Sequence, residues 1–143
     1  MNDLTKKESL IKLTEELTRL LGQIEEQVLN ADEMSELTVR QIYYLDMIKE
    51  FKDPMVSELA QKLGVTKPTV TYTLNYLIEK GFVEKIRSDV DRRVYHLHLT
   101  EQGKRITELH DEAHEEFVSI LTNKLNSREI DQFINIVTKI LNS

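Results

Sequence analysis

PMVSELAQKLGVTKPTVTYTLNYLIEKGFVEKIRSDVDRRVYHLHLTEQG occupies residues 54–103 and decides the fold. Asp53-Pro54 opens a short helix, because proline is tolerated in a first turn, and Val56, Leu59, Ala60 and Leu63 form its buried side. Gly64 supplies a sharp turn that a residue without Cβ accepts at little cost. Thr66 caps a second helix whose inward side is Val70, Leu74, Leu77 and Ile78, and Gly81 stands where a left-handed C-terminal glycine is expected. Phe82 to Arg87 and Val94 to Leu99 read as strands. In the second, Tyr95, Leu97 and Leu99 alternate with Val94, His96 and His98. Between the strands lies a polar tip, Ser88-Asp89-Val90-Asp91-Arg92. Helix, tight turn, helix and charged hairpin make a helix-turn-helix followed by a wing. Such a unit is expected to read double-stranded DNA with its second helix in the major groove.

Helices flank this segment on both sides. Leu10, Leu13, Leu17, Leu20, Leu21, Ile24 and Val28 recur at spacings of three and four, one apolar stripe on a long helix. Asp32 to Leu37 breaks the pattern. Thr38 with Gln41 resembles a capping box, and Ile42, Leu45 and Ile48 continue as another helix. Thr100 caps a fifth helix with the stripe Ile106, Leu109, Ala113, Phe117, Ile120, Leu121 and Leu125. Asn126 with Glu129 opens a last helix, which is expected to bury Ile130, Phe133, Ile134, Val137, Ile140 and Leu141. The fold class is mainly α with one small hairpin (α+β). Residues 1–143 read as a single unit, with 33–100 the winged helix-turn-helix. Residues 1–32 and 101–143 are more apolar than so small a domain needs. They either pack on that domain or form a helical interface between two copies of the chain. A twofold homodimer would set two recognition helices about 34 Å apart, matching successive major grooves of a palindrome.

Composition agrees with a compact protein of 143 residues, of which 40% are hydrophobic and 31% charged. Its 4 Gly and 2 Pro leave little room for long loops. No apolar run reaches the roughly 20 residues of a membrane span, and MNDLTKKESL lacks the apolar core of a signal peptide. A cytoplasmic protein without membrane partners is the expectation. The absence of cysteine excludes disulfides and thiolate metal sites. Net charge is −6, yet residues 66–105 carry eight basic against five acidic side chains, locally +3. A basic segment on an acidic body is the electrostatic footprint of a small DNA-binding module. Enzymatic readings find no support: there is no glycine-rich phosphate loop, cysteine nucleophile or nucleophile elbow. No cofactor is expected.

The ordered set VSELAQKLGV, TKPTVTYTLNYLIEKGFV and DRRVYHLHLTEQG resembles the MarR family of bacterial winged-helix regulators, over nearly the whole chain. Asp91, Arg93, Leu99, Thr100 and Gly103 match the family's wing signature. IRSDVDRRVYHLHLTEQGKRI, followed by Leu109, His110 and His114, is most similar to the fatty-acid-synthesis repressors within that family. That resemblance implies control of type II fatty-acid-synthesis genes with acyl-acyl carrier protein as corepressor. For the family at large it implies a small-molecule effector acting between the dimer helices and the winged part. Tyr43, Tyr44 and Met47 are candidate walls of such a pocket, or else ordinary core.

Readout needs side chains that reach base edges and others that clamp phosphates. Thr66, Lys67, Thr69, Thr71, Tyr72 and Asn75 lie off the buried stripe of the recognition helix. Threonine methyls can meet thymine, and asparagine can pair with adenine. Many members of the family carry a basic residue where Tyr72 stands, so the resemblance points to an A/T-leaning site for this chain. The resemblance sends Arg93 into the minor groove, oriented by Asp91 through a charge-assisted pair. Arg92, Arg87 and Lys85 are candidate phosphate contacts. His110 and His114, four apart, share a helix face and can hold zinc. Zinc-dependent family members add a histidine where Tyr43 stands here, so the expectation is no metal site but two histidines at the surface or the dimer rim. Three readings therefore stay open: a DNA-binding repressor, a zinc-responsive regulator, and a winged-helix protein-interaction module.

Overall fold

A computed structural model describes residues 2–29 and 37–142. The elements run α1 (Asp3–Leu29), α2 (Val39–Glu50), α3 (Val56–Leu63), α4 (Lys67–Glu79), β1 (Val83–Arg87), β2 (Tyr95–Leu99), α5 (Glu101–Lys124) and α6 (Ser127–Leu141). This is the expected winged helix, mainly helical with one antiparallel hairpin. The break expected at Asp32 to Leu37 lies, except for Leu37, outside the described residues. The chain divides into two compact units, Leu29–His110 and Met1–Val28 with Asp111–Ser143. No helix among the described residues is long and apolar enough to cross a membrane.

In the unit Leu29–His110, local signals set the helix ends. Thr38 and Gln41 form a reciprocal capping box on α2. Thr66 accepts from Thr69 N at the start of α4, and Gly64 closes α3 at φ 67°. Gly81, expected from the sequence as a left-handed C-terminal glycine, has φ 84°, and the turn glycine Gly64 is left-handed as well. Ile42, Leu45 and Ile48 of α2 pack with Leu59 of α3, Val70, Leu74 and Leu77 of α4, Leu97 and Leu99 of β2, and Ile106 of α5. Burying each such side chain contributes about 1.5–3 kcal/mol, so this cluster dominates the unit's stability.

Two details differ from the sequence reading. The helix expected to open at Asp53-Pro54 starts at Val56, with Met55 as N-cap and the Glu58 carboxylate accepting from Met55 N at 3.2 Å. Residues 52–54 form a turn instead. Lys52 and Asp53 are left-handed, at φ 51° and 58°, and the Pro54 carbonyl accepts from Leu97 N at 2.9 Å. A tertiary hydrogen bond has displaced the helix start. The hairpin pairs Val83 with Leu99 through to Arg87 with Tyr95. Inward alternation holds at Leu97 and Leu99 but fails at Tyr95, which is 38% exposed. By that point the wing has left the core.

Gly103, in the first turn of α5, has a packing reason. A Cβ there would lie 2.2 Å from the Phe82 carbonyl oxygen, which also accepts from Thr100 N at 3.1 Å. Thr100 donates its hydroxyl to the Gly81 carbonyl at 2.6 Å and accepts from Gly103 N at 3.1 Å. This junction ties the end of α4 and the wing to α5.

In the other unit, the capping box of Asn126 and Glu129 starts α6 as expected. The expected burial of α6 does not occur within one chain. None of its side chains is buried, and Phe133, Ile134, Ile136, Ile140 and Leu141 are exposed. Along α1, Ile24 is buried while Leu10, Leu13 and Leu17 are exposed.

Candidate nucleic-acid interface

The buried side of α4 (Val70, Leu74, Leu77) fixes which residues it presents outward. Thr66, Lys67, Thr69 and Asn75 are exposed, and Tyr72 is 82% exposed. Thr71 is half-buried, so of the expected readers it presents least. The Thr66 and Thr69 hydroxyls share a hydrogen bond of 2.9 Å, which orders the first turn of the helix. Two shallow hollows border this face. Arg40 lines one with Pro68, Thr69, Tyr72 and Thr73. Gln41 lines the other with Tyr72, Thr73, Asn75, Tyr76 and Glu79. The sequence reading missed Arg40, Thr73 and Tyr76. The capping box at Thr38 was the available signal for Arg40, since it places that guanidinium in the first turn of α2.

The hairpin supplies the second set of groups. Lys85, Arg87, Arg92 and Arg93 are exposed. Arg93 Nε donates to Asp91 Oδ1 at 3.1 Å and Nη2 to Oδ2 at 3.2 Å, while Arg93 N donates to Oδ1 at 3.0 Å. The guanidinium is held from one side, yet the Arg93 side chain stays 90% exposed. The side-chain bond from Arg93, and then the backbone bond, hold the Asp91 carboxyl below its usual pKa. Arg87 lies over the Tyr95 ring, 5.1 Å from its centroid, and also donates to the Tyr95 hydroxyl. Its guanidinium is therefore braced rather than loose at the hairpin surface.

The two histidines differ in burial. His110, expected at the surface or the dimer rim, is buried, its Nδ1 2.6 Å from Asp46 Oδ2 of α2. His114 is exposed. Tyr44 and Met47 belong to the core at 1% and 5% exposure, whereas Tyr43 is 52% exposed. The Tyr44 hydroxyl is buried without a hydrogen-bond partner among the described residues.

Residues 35–94 match the family model described as MarR family. The crystal structure of Streptococcus pneumoniae FabT in complex with DNA superposes with a TM-score of 0.83 at 30% identity, covering 96% of this chain and 95% of that one. The chain belongs to the MarR family. Among curated relatives, the HTH-type transcriptional regulator YpoP of Bacillus subtilis is 27% identical over 105 residues, 73% of this chain and 74% of YpoP. The HTH-type transcriptional repressor MdtR of the same organism is 30% identical over 87 residues, 61% of this chain and 56% of MdtR. Members of the MarR family are transcriptional regulators, and this chain is a regulator rather than an enzyme.

Proposed function

We propose that this DNA-binding regulator acts in the cytoplasm as a homodimeric repressor on a pseudo-palindromic, A/T-leaning operator. In this reading residues 33–100 bind DNA and residues 1–32 and 101–143 dimerise. The observation that carries it is Arg93, a guanidinium 90% exposed yet held by both oxygens of Asp91. A cation ordered in advance and projected into solvent suits a narrow, electronegative minor groove. Thr66, Lys67, Thr69, Thr71, Tyr72 and Asn75 would face base edges in the major groove. Lys85, Arg87 and Arg92 would hold phosphates. Dimerisation draws support from α6, whose Phe133, Ile134 and Leu141 share one side of the helix and are 36%, 55% and 76% exposed in a single chain. A contiguous apolar face of that kind calls for a partner.

The finer reading is control of fatty-acid-synthesis genes with long-chain acyl-acyl carrier protein as effector. It rests on the wing and His110/His114 motifs and on the 30% identity to FabT. Footprinting on DNA flanking its own gene tests the operator. Titration of a labelled operator with acylated and unacylated carrier tests the effector, and only the acylated form should raise affinity. Equal effects of both forms would return the effector to the generic small-molecule class. Failure to bind any duplex at low salt would favour the protein-interaction reading.

One observation favours the zinc-responsive alternative. Asp46 on His110 Nδ1 is the kind of carboxylate that orients a metal-binding imidazole.

A further inference from the structure

We propose that the shallow hollow between Arg40 and the first turns of α4 is a seat for the C5-methyl group of one thymine in each operator half-site. This deepens the operator reading above and rests on it. Pro68, Thr69, Tyr72 and Thr73 of α4 line the hollow, with Arg40 of α2 beside them. Tyr72 follows Pro68, and Thr73 follows Thr69, at a spacing of four. Side chains so spaced are neighbours on a helix, one turn above the other. The hollow thus belongs to one face of α4, near the N-terminal end from which a recognition helix reaches base edges.

What α4 offers here is mainly hydrocarbon. Pro68 presents a saturated ring and has no backbone N–H. The Thr69 hydroxyl lies 2.9 Å from that of Thr66, and Thr69 N donates to the same Thr66 oxygen at 3.4 Å. A β-branched side chain is stiff at χ1. With its hydroxyl committed to the N-cap, Thr69 has its methyl left for the hollow. Tyr72, 82% exposed, adds the surface of its ring. The one charged lining residue, Arg40, is opposite in sign to the phosphates that accompany any base.

The neighbouring hollow has a different character. It shares Tyr72 and Thr73, but Gln41, Asn75 and Glu79 bring it two amides and a carboxylate. Tyr72 therefore stands between an apolar and a polar part of the same recognition face. Among the groups that base pairs present in the major groove, the thymine methyl is the apolar one. It asks for no hydrogen bond and gains from leaving water. The apolar hollow suits that group, and the polar one suits a base edge that donates and accepts.

The test is a thymine scan with the full chain. Each thymine of one half-site of the footprinted operator is replaced in turn by deoxyuridine, which lacks only the C5-methyl. One position should cost roughly fourfold in affinity, the worth of one buried methyl group. The salt slope should not change there, because no phosphate contact is lost. Thr69→Ser keeps the hydroxyl and removes the methyl, and in that variant the same deoxyuridine should cost roughly twofold or less. Deoxyuridine tolerated at every thymine, or an undiminished penalty in Thr69→Ser, would overturn the proposal and leave the operator reading standing. A protein that binds no duplex at low salt removes the operator reading, and this proposal with it. Should Thr69→Ser not fold, the scan on the wild type decides alone.

Discussion

Arg93 and Asp91, two residues apart at the hairpin tip, form a closed two-pronged pair, Nε to Oδ1 at 3.1 Å and Nη2 to Oδ2 at 3.2 Å. At this exposure the pair adds little to stability. Its consequence is orientation. Arg93→Ala should weaken operator binding by about 1–3 kcal/mol and leave the unfolding midpoint unchanged. Asp91→Asn keeps the size of the side chain but loses the charge, and should cost less. An Arg93→Ala protein that is folded and binds normally would remove the minor-groove role.

The same pair sets a pH expectation. Arg93 lowers the Asp91 pKa, so the favourable interaction is complete above the ordinary carboxylate range and is lost as pH falls through the depressed value. Asp91 should therefore contribute no titration to operator affinity near neutral pH. A carboxyl-carbon NMR titration checks this, and the midpoint of Asp91 should rise in Arg93→Ala.

Arg40 borders the recognition face from α2. Arg40→Ala should weaken binding evenly across DNA sequences and reduce the salt slope by about one, as loss of a phosphate contact does. A change of base preference at one operator position would instead make Arg40 a base reader.

At Gly103 two effects compete. Alanine gains about 1 kcal/mol of helix propensity over glycine. Its Cβ, however, would stand 2.2 Å from a backbone oxygen, Phe82 O, which cannot rotate away. Overpacking of this kind costs about 1–3 kcal/mol, so Gly103→Ala should lower the melting temperature. A stabilised variant would mean that the α5 junction yields easily.

Leu17 and Ile134 are 43% and 55% exposed in a single chain. Leu17→Glu or Ile134→Glu should therefore leave helical content intact while placing an unpartnered charge in a subunit interface. Sedimentation at micromolar concentration should show a wild-type dimer and variant monomers. A well-folded monomeric wild type would sink the dimer reading.

Chelator should leave operator binding of the wild type unchanged. If binding collapses and zinc restores it, while a His110→Ala/His114→Ala variant cannot be rescued, the protein is a metal sensor.

The sequence alone determined the order of helices, the helix-turn-helix and the wing. The signals for these act between near neighbours: Thr38 with Gln41, Thr66 with Thr69, Asn126 with Glu129, and the left-handed Gly64 and Gly81. Each satisfies backbone groups within one turn of chain, so periodicity and capping chemistry suffice to find them. Tertiary structure decided the rest. The start of α3 moved to Val56 because Leu97 N, 43 residues further on, takes the Pro54 carbonyl. Asp46 found His110 across 64 residues, and Arg40 came to border α4. The α6 stripe was legible as apolar, but periodicity says only that a face must be covered, not by which chain. Such pairings depend on which surfaces the packed core brings together, and no local pattern in the chain records that.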